Sequence, residues 1–119
     1  MNKQYIYHAN IVRVIDGDTI VVDIDLGFNQ WMHDQHIRLA GIDTPETRTK
    51  DLDEKARGLA AKAFVEGHLP AGTKVFLDSR EFKDQSGKYG RILGDIVFSH
   101  DTIGWISIIR LLKESGHVK

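Results

Sequence analysis

Four short stretches of this 119-residue chain carry side chains of the kinds that can act on a phosphate ester. They are Asp16-Gly17-Asp18-Thr19, Ile37-Arg38-Leu39, Asp43-Thr44-Pro45-Glu46-Thr47 and Lys88-Tyr89-Gly90-Arg91. Hydrolysing a phosphodiester requires cations to neutralise the non-bridging oxygens, a positioned water and stabilisation of the departing alkoxide. Guanidinium groups offer paired donors to phosphate. Taken singly, each stretch also has an ordinary structural reading. Asp16 to Thr19 reads as a hairpin turn and Asp43 to Glu46 as a turn capped by its own side chains. Arg38 reads as a solvated strand position and Arg91 as a hairpin shoulder.

The elements around these stretches follow from hydrophobic period. Ile11, Val12, Val14 and Ile15 precede Asp16-Gly17, and Ile20, Val21, Val22, Ile24 and Leu26 follow it. An Asp-Gly dipeptide between β-branched runs predicts a hairpin, because both residues tolerate positive φ. Leu26 to Asn29 reads as a second turn and Gln30 to Gly41 as a third strand, ended by Pro45. From Leu52 to Glu66 the period lengthens to that of a helix, with Ala56, Leu59, Ala60, Ala63 and Phe64 on one face. Asp51 is its expected N-cap and Gly67 its expected stop. Two more strands, Lys74 to Leu77 and Arg91 to Phe98, are joined across Asp84 to Gly87. A last helix, Ile103 to Glu114, places Trp105, Ile108, Ile109 and Leu112 on a core-facing stripe. This order predicts a mainly β, α+β domain: a five-stranded, partly open OB-type barrel with a helix between strands 3 and 4 and another after strand 5. A two-layer α+β sandwich is the alternative, and it would usually need more helical area to cover its sheet.

Together and in this order, the four motifs resemble the staphylococcal nuclease, or thermonuclease, family from about Ile11 to Gly116. The Arg-Leu and Asp-Thr-Pro-Glu-Thr runs and the Lys-Tyr-Gly-Arg run are the specific part. Asp-Gly-Asp-Thr alone is weak. Glu54, Gly58 and Ala60 fall where that family places its first helix. The resemblance implies a single nuclease domain over residues 1–119, short after Gly116. It implies that Asp18, Asp43 and the Thr44 carbonyl hold one Ca2+, with Glu46 across a water. An oxygen-only shell carried on turns suits that ion. Arg38 and Arg91 would clamp the scissile phosphate, and Lys88 and Tyr89 would contact the nucleotide. The implied activity is Ca2+-dependent hydrolysis of DNA, and of RNA too, leaving 3′-phosphate ends. A non-catalytic module binding nucleic acid or protein is the rival reading.

The geometry contains one tension. Arg38 and Asp43 differ by an odd number of positions, so a regular strand would point them to opposite faces. They converge only if the strand bulges or ends near Gly41 and Ile42.

Composition narrows the partners. Sixteen Lys and Arg against seventeen Asp and Glu leave a net charge of -1. No global basic field is available to coat a polyanion, so any phosphate site must be local. The absence of cysteine removes thiolate nucleophiles and cysteine-ligated zinc. No stretch is long and apolar enough to span a bilayer, and no leader is visible, which points to a cytoplasmic protein. His33 and His36 would face opposite sides of a strand. Ser99-His100-Asp101 is contiguous, whereas triad members converge from separate elements, so it reads as a loop leading to a helix N-cap.

Overall fold

The computed structural model describes residues 5–79 and 91–119. Three long strands open the chain: β1 (Ile6–Asp16), β2 (Thr19–Gly27) and β3 (Gln30–Leu39). Helix α1 (Leu52–His68) follows, then β4 (Lys74–Asp78), β5 (Ile92–His100), β6 (Gly104–Ser107) and α2 (Ile108–Glu114). The strands run in the order β3-β2-β1-β4-β5-β6. β5 also pairs in parallel with β3, through Ile37↔Ile92, Arg38↔Leu93 and Leu39↔Gly94. That pairing joins both ends of a five-strand run into a ring, the mainly β, OB-type α+β arrangement expected from the sequence.

Alternation along the strands fills the ring. Ile11, Ile20, Val22, Ile37, Leu39, Val75, Leu77, Ile96 and Phe98 form one buried cluster, joined by Val65 and Leu69 from α1 and its C-cap and by Ile108 and Leu112 from α2. The β1–β2 hairpin forms, with Asp16 opposite Thr19. Its two-residue loop is Gly17-Asp18, and neither residue has positive φ. Glycine is required at position 17 for space: a Cβ there would lie 2.8 Å from the Ala61 Cβ of α1. The β2–β3 turn does use positive φ, at Gly27, Phe28 and Asn29.

Several expectations are corrected. The last helical stretch divides in two: Gly104–Ser107 pairs with β5 as a sixth strand, and only Ile108–Glu114 is helical. Trp105, expected in the core, is 59% exposed, its ring 5.0 Å from that of Phe76. Helical spacing and strand alternation both accommodate the short run Trp105 to Ile109, and pairing with β5 decides between them. The α2 N-cap is Ser107, whose Oγ accepts from the Arg110 amide, and not a residue of Ser99 to Asp101.

Helix α1 begins as expected, with Asp51 Oδ1 accepting from the Asp53 and Glu54 amides. It runs through Gly67 to a cap at Leu69. Its buried face is Gly58, Ala61 and Val65, while Ala56, Leu59, Ala60 and Ala63 are exposed. Alanines on every side leave the apolar period without a strong direction, so close packing chooses the face. The third strand stops at Leu39, and Gly41 turns the chain at φ +74. The connection at Asp84 to Gly87 lies outside the described residues.

Candidate active-site cleft

Strand pairing alone brings two of the motifs together. Thr19 lies opposite Arg38 across the β2–β3 ladder, and the Leu39 amide donates to the Asp18 carbonyl at 2.9 Å. The end of β3 therefore sits against the β1–β2 turn. Beyond Leu39 the chain leaves the sheet, tethered by the Ala40 amide to the Gly94 carbonyl at 3.1 Å. The positive φ of Gly41 then folds Asp43 back toward Arg38, which resolves the parity conflict in the sequence.

Arg38 is the hub of the result. Its Nη2 lies 2.5 Å from Asp43 Oδ1 and 3.5 Å from Asp18 Oδ2. Its Nη1 donates to the Leu39 carbonyl at 2.7 Å. Asp18 is further held by the Thr44 amide, which donates to Oδ2 at 3.2 Å, and by the Thr19 hydroxyl, which donates to Oδ1 at 3.1 Å. Thr44 is buried, and its Oγ1 has no hydrogen-bond partner among the described residues. Arg91 stands one residue before β5, whose parallel pairing with β3 carries it to the same cleft.

The cleft has a volume of about 270 Å³. Asp18, Arg38, Asp43, Thr44, Glu46 and Arg91, all singled out in the sequence, line it together with Thr19 and Pro45. Lys88 and Tyr89 lie outside the described residues. One lining acid had been given no role of its own: Asp16, whose Oδ1 accepts from the Thr47 hydroxyl at 2.6 Å. The Asp-x-Asp spacing across a two-residue loop was the available signal, since it puts both acids at the same hairpin end.

The donor set fits a hard cation in kind. Two carboxylates converge on one point, each within reach of a single guanidinium nitrogen, and the backbone beside them offers further oxygen. Among the described residues, no group of three or more His, Asp or Glu side chains is gathered tightly enough to hold a metal ion. Full coordination would therefore draw on backbone carbonyl and water as well as on Asp18 and Asp43.

One perturbed carboxyl lies in another part of the ring. Burial pushes the Asp95 carboxyl above its ordinary value, and the nearby charge of Asp78 adds to this. Hydrogen bonds from Ser107, Ile109 and Ile96 pull the other way. Ser107 Oγ donates to Asp95 at 2.5 Å, tying β5 to the start of α2.

The sequence model of the family described as Staphylococcal nuclease homologue matches residues 36–116. Thermonuclease of Staphylococcus intermedius is 41% identical over 95 residues, covering 75% of this chain and 51% of the relative. Thermonuclease of Staphylococcus hyicus is 39% identical over 83 residues, covering 70% of this chain and 44% of the relative. The chain thus spans about half the length of the curated relatives it matches. With most of its length matched, the chain belongs to the staphylococcal nuclease family.

Proposed function

We propose that this chain is a Ca2+-dependent phosphodiesterase that hydrolyses DNA, and RNA too, with little sequence preference. The observation that carries the reading is the meeting of two guanidinium groups and four acids in one open cleft. Arginine pairs suit a dianionic transition state, and the acids suit a cation and a water.

Asp18, Asp43 and the Thr44 carbonyl would hold the Ca2+. When bound, the ion supplies charge neutralisation at a non-bridging phosphate oxygen and lowers the cost of bringing water to phosphorus. Glu46 orients the attacking water and accepts its proton. The water oxygen bonds to phosphorus, the bond from phosphorus to the 5′-oxygen breaks, and that oxygen is protonated from solvent. The 3′-oxygen keeps the phosphate. Arg38 and Arg91 donate to the equatorial oxygens, whose charge grows on the way to the transition state. Lys88 would meet a flanking phosphate and Tyr89 would stack on a base, contacts that tolerate many sequences.

End-group analysis tests this chemistry. Digestion of single-stranded DNA with Ca2+ should leave 3′-phosphate and 5′-hydroxyl ends, and a chelator should stop it. Products with 5′-phosphate ends would exclude the proposed bond cleavage.

A further inference from the structure

Helix α2 ends in a Schellman motif. Gly116 has φ +78, its amide donates to the Lys113 carbonyl at 3.3 Å, and the His117 amide donates to the Leu112 carbonyl at 3.1 Å. This reversal sends the next three residues back across the ring toward the cleft. The His117 ring packs on Phe64 of α1 with centroids 4.7 Å apart, and Val118 packs on the core. Lys119 then makes two contacts. Its amide donates to the Asp43 carbonyl at 2.8 Å, and its ammonium lies 3.8 Å from Glu54 Oε1.

Asp43 stands in a stretch without regular structure, and its side chain is 67% exposed. The loop is fixed on one side by the Ala40 amide on β5 and on the other by the Thr44 amide on Asp18. Between those anchors, the carbonyl of Asp43 itself is held by Lys119. A backbone restraint on that residue sets where an exposed carboxylate can reach.

We propose that His117–Lys119 forms a clasp that positions Asp43, with the Lys119 amide as its working contact. Its effect on ion binding rests on the reading of Asp43 as a Ca2+ ligand, whereas its effect on loop order does not. Lys119 is a positioning residue, acting through Asp43.

Two variants separate the amide from the ammonium. Lys119→Ala keeps the amide hydrogen and removes the ion pair, and Lys119→Pro removes the amide hydrogen. Amide exchange at Thr44 and Glu46 and calorimetric titration with Ca2+ are measured in both, with the Ile20 and Ile37 amides as a control for global folding. The clasp predicts exchange and Ca2+ affinity within about twofold of wild type in Lys119→Ala. In Lys119→Pro it predicts exchange about fivefold faster and affinity about fivefold weaker, as for loss of one hydrogen bond, with the control amides unchanged. Wild-type exchange at Thr44 and Glu46 in Lys119→Pro would overturn it. Equal effects in both variants would also overturn it, by assigning the role to the ion pair with Glu54. Exchange decides the clasp even where wild-type protein takes up no Ca2+, a result that would strike the ligand reading instead.

Discussion

A Cβ atom at Gly58 would stand 2.5 Å from the carbonyl oxygen of Glu46, so helix α1 rests directly on the backbone of the loop that carries Asp43 and Glu46. The Pro45 carbonyl is nearly as close, at 2.7 Å. Both neighbours are backbone and cannot swing aside. The glycine in the helix is therefore part of how the cleft is built.

Replacing that glycine should harm both fold and site. Gly58→Ala is expected to lose roughly 1–3 kcal/mol of stability by overpacking and to lower cleavage activity as the loop is pushed outward. Gly67 is the internal comparison: it lies in the same helix, with no atom of the described residues within 4 Å of an added Cβ. Gly67→Ala should gain about 0.5–1 kcal/mol from helix propensity with activity unchanged. Urea denaturation and cleavage rates check both. Equal stability changes in the two variants would refute the close-packing argument.

The arginines should not tolerate lysine. A lysine ammonium cannot present the paired, planar donors of guanidinium. Arg38→Lys and Arg91→Lys are each expected to lose at least about tenfold in turnover, on the order of 1.4 kcal/mol. Wild-type turnover in either variant removes that residue from the mechanism.

How much of this could be read from the sequence depended on whether a feature was local. The β-branched runs around Asp16-Gly17 and the Asp51 cap were legible, since turn chemistry and capping act over a few residues. The order of short motifs along the chain anticipated that Asp18, Arg38, Asp43, Glu46 and Arg91 line one cleft. The buried face of α1 was not: Gly58 and Ala61 face inward because backbone and turn press against them, a tertiary fact that the apolar period does not encode. β6 was missed for the same reason, as Trp105 to Ser107 becomes a strand only by pairing with β5. Asp16 stayed without a role because its partner, Thr47, lies across the fold.

Asp95 gives a pH signature with a definite sign. Its carboxyl is raised in the folded state, so it binds its proton more tightly there than in the unfolded chain. The stability it contributes is fully present below the ordinary carboxylate value and is lost as pH rises through the raised one. The stability of wild type relative to Asp95→Asn should therefore fall as pH rises through and above the ordinary carboxylate range. Denaturant titrations across that range check it, and a difference that grows with pH would contradict the burial argument.

Ion and nucleotide should stabilise the protein together. A nucleoside 3′,5′-bisphosphate with Ca2+, at about a hundred times its dissociation constant, adds roughly 2.7 kcal/mol. For a domain of this size that is on the order of ten degrees in thermal midpoint. Purely additive small shifts from ion and nucleotide would argue against one shared site.

The central claim is that Asp18, Arg38, Asp43, Glu46 and Arg91 form one working hydrolytic centre. Its most direct test is cleavage of single-stranded DNA by the purified protein, with Ca2+ and with chelator, beside Glu46→Ala. Cleavage is expected with Ca2+ only, with a rate at least about a hundredfold lower in Glu46→Ala, the usual scale for loss of a general base. Intact DNA under every condition, with the protein folded, would contradict it and favour a binding module.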